Sequence, residues 1–291
     1  MSKPVLVTGG AGSLGRLVAD KLLTAGHSVR VFDLPSLDYG GLEELNDVEI
    51  VRGDIMQAES VGKAAEGVCA VVHLAAILPP ASEKARERTF AVNVEGTRCL
   101  AKALVKAGSK TPLIFSSSVS TYGDTTTEDP PVNVGHPQQA LDIYAESKIA
   151  AEETLRRIYP QTTILRISGI TISAFFEPPE TWPFMVDQRI EFVHRDDVVT
   201  ALGGAVDSQV ARGRDILVAG GPTWRKTGRE YVEDYYDLLG VPVGEAQFQD
   251  RPGWCDWYDT APSQALLQYQ NTSYQEHLDR LREELRRMMG G

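Results

Sequence analysis

Eight residues near the start of the chain, Thr8-Gly9-Gly10-Ala11-Gly12-Ser13-Leu14-Gly15, constrain its fold more than any other stretch. The apolar run Pro4-Val5-Leu6-Val7 precedes them. Residues 14–25 follow with apolar side chains at helical spacing, and Gly26 is a stop. Glycines at 9, 12 and 15 permit a tight turn between a strand and a helix, and they let backbone approach a pyrophosphate. The helix start then presents unpaired N–H groups and the positive end of its dipole to the same phosphates. The spacing alone fits a plain turn; the strand–turn–helix context makes it a nucleotide-binding turn.

The same rhythm continues. Val29-Arg30-Val31-Phe32, Glu49-Ile50-Val51, Ala70-Val71-Val72-His73-Leu74, Leu113-Ile114-Phe115 and Thr163-Ile164-Leu165-Arg166 read as strands. Residues 85–107 and 144–159 read as helices, closed by Gly108 and Pro160. This alternation predicts an α/β fold, a Rossmann-type doubly wound parallel sheet with helices on both faces. After Gly169 the rhythm breaks into a Pro- and aromatic-rich stretch around residues 175–183. Val193-His194-Arg195-Asp196-Asp197 opens a further helix, Ile216-Leu217-Val218 reads as one more strand, and residues 278–288 form an amphipathic helix. The expected division is a nucleotide-binding domain over residues 1–168, completed by 194–221. A smaller C-terminal substrate-binding part takes residues 169–193 and 222–291, the kind of part that closes over a substrate.

Asp33 ends the second strand. A carboxylate there accepts hydrogen bonds from adenine-ribose hydroxyls and repels a 2′-phosphate, which favours NAD; Arg16 and Arg30 keep NADP open as the second reading. Asp54-Ile55, at the end of the third strand, stands where an adenine ring is contacted. Further on, Tyr144 and Lys148 are four residues apart, so a helix brings phenol and ammonium to one face. A tyrosine with a pKa of ~10 is a poor base at neutral pH. A neighbouring ammonium stabilises the phenolate and is expected to lower that value, so that the phenol can exchange a proton with a substrate hydroxyl or carbonyl. Ser118 closes Phe115-Ser116-Ser117-Ser118 at a strand end, where it can bind the reacting oxygen.

Together these motifs resemble the extended branch of the short-chain dehydrogenase/reductase superfamily, the NAD-dependent epimerase/dehydratase family. The carriers are residues 8–15, Asp33, Asp54-Ile55, His73-Leu74-Ala75-Ala76, Asn93 in Val92-Asn93-Val94-Glu95-Gly96-Thr97, residues 116–123, Tyr144 with Lys148, and residues 192–197. The likeness is dense to about residue 205. It implies Tyr144 as acid/base, Lys148 as its tuning group and holder of the nicotinamide ribose, and Ser118 as the residue orienting the reacting oxygen. Gly9, Gly12, Ser13, Leu14, Gly15, Asp33, Asp54, Ile55, Leu74, Ala75, Ala76, Asn93, Tyr144 and Lys148 would line the cofactor site. A homodimer built on residues 85–107 and 144–159 is also implied.

Departures from the family bear on substrate. Val119-Ser120 stands where dehydratases carry an acidic pair, which disfavours dehydration. Arg166-Ile167-Ser168-Gly169 offers Ser168 where many nucleotide-sugar enzymes have asparagine, and the span from Arg166 to His194 is short for a nucleotide-sugar pocket. Arg251, in Arg251-Pro252-Gly253, resembles a diphosphate-binding arginine, with Arg225 a weaker alternative. Two enzyme readings therefore stay open: a nucleotide-sugar epimerase or dehydrogenase, with Ser118, Ser168 and Arg251 on the substrate, and a carbonyl reductase or alcohol dehydrogenase acting on a smaller molecule. A nicotinamide-sensing regulator is a third reading, disfavoured by the intact Ser118, Tyr144 and Lys148.

Composition sets the outer limits. Forty acidic against 29 basic residues give a net charge of −11, which disfavours nucleic acid or an anionic membrane as partner. Cys69, Cys99 and Cys255 are odd in number and unclustered, and the histidines lack ligand spacing. No metal is expected, and the thiols fit a reducing cytoplasm. The first residues lack the layout of a signal peptide, and no stretch approaches the ~20 apolar residues of a membrane span.

Overall fold

The computed structural model describes residues 3–108, 110–242, 244, 246–288 and 290. Among the described residues eleven strands carry the framework: β1 (Val5–Thr8), β2 (Val29–Asp33), β3 (Val48–Arg52), β4 (Ala70–His73), β5 (Leu113–Ser118), β6 (Thr163–Ile167), β7 (Ile170–Thr171), β8 (Arg189–Glu191), β9 (Val193–His194), β10 (Asp215–Val218) and β11 (Arg225–Thr227). The α-helices are α1 (Ser13–Thr24), α2 (Ala58–Ala65), α3 (Ala81–Lys84), α4 (Arg86–Phe90), α5 (Thr97–Lys106), α6 (Ile143–Ile158), α7 (Arg195–Asp207), α8 (Gly228–Leu239), α9 (Ala261–Leu267) and α10 (Tyr274–Met288).

Seven strands form one sheet in the order β10-β6-β5-β4-β1-β2-β3. β1 pairs in parallel with β2 and β4, β2 with β3, and β4 with β5. The central strands are continuous apolar runs because both faces are covered, as a parallel sheet requires. Val5, Leu6 and Val7 are wholly buried, and Leu6, Val71, Leu113 and Phe115 join Leu100, Leu104, Ala151 and Leu155 of the helices in one core cluster. From β1 the chain runs outward through β2 and β3, then returns to β4 on the other side. The strand order thus reverses between β1 and β4, the place where open α/β sheets bind ligands at their carboxyl ends.

The single helix expected over residues 85–107 is divided. α4 and α5 are joined by a π-helical stretch, Ala91–Gly96. At its centre Asn93 is buried, and Gly96 lies against the core: a Cβ there would stand 2.7 Å from Ile55 Cγ2. A widened turn of this kind is a local cost that commonly marks a functional position.

By the density of their contacts the residues divide into two units. The first comprises Met1–Ser118, Asp142–Arg166 and Val199–Ile216; the second comprises Val119–Leu141, Ile167–Val198 and Leu217–Gly291. Within the second unit β8 pairs antiparallel with β11 and β7 in parallel with β9. Its core is aromatic, with Trp182, Phe184, Ile190, Val232, Tyr236 and Cys255 packed together. α8 begins in a capping box, in which Thr227 Oγ1 accepts from the Glu230 N–H while Glu230 accepts from the Thr227 N–H. Among the described residues no helix is long and apolar enough to cross a membrane.

Candidate functional site

The glycine-rich turn follows β1 and opens α1 as its residues dictate. Gly9 adopts φ +72°, and a Cβ there would meet Ala75 N at 2.8 Å. The backbone of the turn and that of the segment after β4 therefore approach as closely as only glycine allows. At Gly15 a Cβ would fall 2.2 Å from Gly9 O. At Gly12 it would meet only Gly9 O, at 3.2 Å, so the opposite side of the turn is open. No side chain caps α1, which leaves Ser13 and Leu14 at an uncapped helix start, the donor set that a pyrophosphate takes up.

Asp33 stands at the end of β2. Its Oδ2 accepts from the Ala11 N–H at 3.1 Å and its Oδ1 from the Leu34 N–H at 2.9 Å. A carboxylate has about four acceptor sites, so two amides leave it able to take ribose hydroxyls. Asp54 Oδ1 caps the Met56 N–H, and Ile55 is buried against the π-helical stretch. Leu74, Ala75 and Ala76 run half-buried past the end of β4. Arg16 donates to Ala11 O at 2.8 Å and to Asp38 O, so its guanidinium is fastened to the turn and to the loop after β2. An uncapped helix start, an open glycine face and an acid at the end of β2 together fit a dinucleotide.

Asn93 ties this region to the helix of the tyrosine. Its Oδ1 accepts from the Ile77 N–H at 2.7 Å, and its Nδ2 donates to Ile77 O at 3.1 Å and to Ser147 Oγ at 2.9 Å. Ser147 in turn donates to Tyr144 O at 2.7 Å. His73 is buried and bonded at both nitrogens. Thr97 Oγ1 donates to Asn93 O, so it accepts from His73 Nε2; His73 Nδ1 then accepts from Thr8 Oγ1 at 2.6 Å. Burial, and then the charge of Lys148, push His73 down to about 3. It is a neutral packing group that ties the ends of β1 and β4 to the π-helical stretch.

Ser118 ends β5, and Tyr144 and Lys148 lie one turn apart at the start of α6. That start is held firmly. Asp142 Oδ1 accepts from the Ala145 N–H at 2.7 Å, and Glu83 accepts from the N–H groups of Ile143 and Tyr144 at 3.0 and 3.1 Å. Lys148 Nζ donates to Ser116 O at 2.7 Å, 4.8 Å from the centre of the Phe115 ring and 5.6 Å from that of Tyr144. The expected electrostatics are reversed here. Burial, and then Asp142, push the Tyr144 phenol up, while burial brings Lys148 down to about 8 against the raising effect of Glu152. Desolvation penalises both charged forms and is the largest effect on each.

The second unit treats its expected substrate residues differently. Ser168 is buried and its hydroxyl donates to Glu191 O. Arg225 donates to Glu191 at 3.1 Å and to Tyr258 O at 2.7 Å. Arg251 is exposed. Sequence reasoning missed the contact between His194 and His277, whose rings lie 5.8 Å apart with Ser173 Oγ between them, 3.1 Å from His194 Nε2 and 3.3 Å from His277 Nδ1. No spacing signals it. Among the described residues no three histidines, cysteines or acids gather as a metal site.

Residues 5–175 match the model of the NAD-dependent epimerase/dehydratase family. The chain belongs to that family. The family's match spans the turn, Asp33, Ser118, Tyr144 and Lys148. A 3 beta-hydroxysteroid dehydrogenase/Delta 5→4-isomerase of Mycobacterium tuberculosis is 35% identical over 154 residues, 51% of this chain and 40% of that protein. UDP-glucose 4-epimerase of Bacillus subtilis is 31% identical over 166 residues, 53% of this chain and 48% of that protein. The matches therefore take in less than half the length of these relatives. Among solved structures, a short-chain dehydrogenase/reductase superfamily protein of Agrobacterium tumefaciens with bound NAD superposes with a TM-score of 0.81 at 24% identity, over 98% of each chain. A UDP-glucuronic acid 4-epimerase of Bacillus cereus in complex with NAD superposes with a TM-score of 0.79 at 20% identity, over 98% of this chain and 99% of that one. These two likenesses are of fold.

Proposed function

We propose that this family member transfers hydride between NAD and a carbinol carbon, with Tyr144 as the acid/base. The observation that carries the reading is Lys148: a buried ammonium, bonded to Ser116 O at the strand end that Ser118 closes, one helical turn from the phenol. Bound NAD would supply the hydride acceptor at its nicotinamide ring. Gly9, Gly12, Ser13, Leu14 and Gly15 would hold its pyrophosphate, and Asp33 its adenine ribose. Asp54, Ile55, Leu74, Ala75, Ala76 and Asn93 would flank it. Ser118 donates to the substrate oxygen as negative charge grows on it. Tyr144 exchanges the hydroxyl proton. Lys148 stabilises the phenolate and holds the nicotinamide ribose.

For the substrate we propose a nucleotide-sugar, with Arg251 on its diphosphate. The reading draws on the likeness to nucleotide-sugar enzymes and on the exposure of Arg251. A second reading, a smaller alcohol or carbonyl compound, has an observation of its own: the Ser168 hydroxyl and the Arg225 guanidinium are already committed to Glu191 and Tyr258. The test begins with freshly purified protein, denatured and assayed for released nucleotide. Stoichiometric NAD or NADH supports an epimerase, which must keep its cofactor through the cycle. Empty protein that reduces added NAD with cyclohexanol but leaves UDP-glucose unchanged supports the second reading. Bound NADP would overturn the role given to Asp33.

A further inference from the structure

Two consecutive residues of the serine run are gripped by two consecutive turns of α6. Lys148 Nζ holds Ser116 O at 2.7 Å, and Glu152 Oε1 accepts the Ser117 hydroxyl at 2.5 Å. Tyr144, Lys148 and Glu152 follow one another at intervals of four, so they share a helix face. Ser118 comes next in the chain, directly after the two residues that these bonds hold.

Glu152 is itself immobilised. It is wholly buried, and Arg166 of β6 clamps it with Nε to Oε1 at 3.1 Å and Nη2 to Oε2 at 2.7 Å. Arg156 adds a contact to Oε2 at 3.1 Å, and Asp215 of β10 balances the arginines, 3.2 Å from Arg166. Burial works against the carboxylate, but hydrogen bonds and charge from Arg166, then Ser117 and Arg156, keep it below its ordinary range. Two acids and two arginines cancel within this cluster. Glu152 also favours the ammonium form of Lys148, against the burial that lowers it. A buried ion pair contributes little net stability, so its presence calls for another account.

We propose that Glu152, clamped by Arg166, is a positioning residue: through Ser117 it fixes the serine run on the catalytic helix, and so sets Ser118 and Lys148 relative to Tyr144. This rests on the reading of Ser118, Tyr144 and Lys148 given above. The test uses the full chain and NADH, with acetic anhydride labelling of Lys148 followed by mass spectrometry between pH 6 and 10. Protection of Lys148 by NADH in the unaltered protein tests that reading; its absence would overturn the reading whatever the variants do. Ser117→Ala removes one hydroxyl and leaves Glu152 paired, so the fold survives. It is expected to free Ser116 O from register and to raise Lys148 labelling about fivefold, the fold-change that one lost hydrogen bond would give. Glu152→Gln is expected to raise labelling further and to move its pH midpoint downward. Thermal unfolding of both variants is followed in parallel. A fall in melting temperature with Lys148 labelling and midpoint unchanged in both would sink the proposal and leave Glu152 a purely structural residue.

Discussion

Burial works against the charged forms of both Tyr144 and Lys148. Lys148 has been brought down to about 8, so its ammonium is present below that value and is lost as pH rises through it. NADH affinity, followed by nicotinamide fluorescence, is therefore expected to weaken above pH 8, and Lys148→Met to bind weakly at every pH. A Lys148→Met protein with the same alkaline decline would assign the titration elsewhere. Tyr144→Phe keeps the ring and removes the proton donor. Turnover should fall by about 10²–10⁴-fold while NADH binding persists. Unchanged biological activity of that variant would mean a nicotinamide-sensing regulator instead. Much of this site was legible from spacing, because residues four apart on a helix and a serine at a strand end report local geometry. The reversed electrostatics were not, since desolvation depends on everything packed around a group.

At the scale of elements, the turn after β1 and the segment after β4 are built to touch. Gly15→Ala would drive a Cβ to 2.2 Å from Gly9 O, a backbone atom that cannot step aside without moving the turn. NADH affinity in Gly15→Ala should drop more than tenfold, read by fluorescence titration; near-normal affinity would argue that the turn does not carry the pyrophosphate. The helix expected over residues 85–107 exists but is interrupted by the π-helical stretch around Asn93. Apolar periodicity could not reveal this, because the interruption serves hydrogen bonds to Ile77 and Ser147, which lie elsewhere in the chain. The same limit explains Glu83, which caps the start of α6 from α3.

For the molecule as a whole, His73 links stability to pH. Its ordinary value is 6.5, and burial lowers it to about 3 in the folded protein. Between those values the unfolded chain binds the proton and the folded one does not. Stability is thus full above about pH 6.5 and falls as pH drops toward 3. Urea unfolding at stepped pH should show this slope, and His73→Gln should flatten it; an equal slope in both would place the acid sensitivity in another group. A second copy of the chain is proposed as a partner across α4, α5 and α6, so solution scattering should give twice 31.8 kDa. A mass of one chain would end that proposal.

The sequence by itself determined the alternation of strand and helix, the glycine turn, the acid after β2 and the Tyr144–Lys148 pair. Each is a pattern over a few neighbouring residues, and neighbours in the chain meet wherever the chain goes. Only the tertiary structure decided that Ser117 meets Glu152, that Arg166 clamps it, that His73 sits between Thr8 and Thr97, and that Ser168 and Arg225 turn inward to Glu191 and Tyr258. Those partners stand far apart in sequence. They are brought together by the order and register of strands, which are set by the burial of the whole core and not by any local spacing.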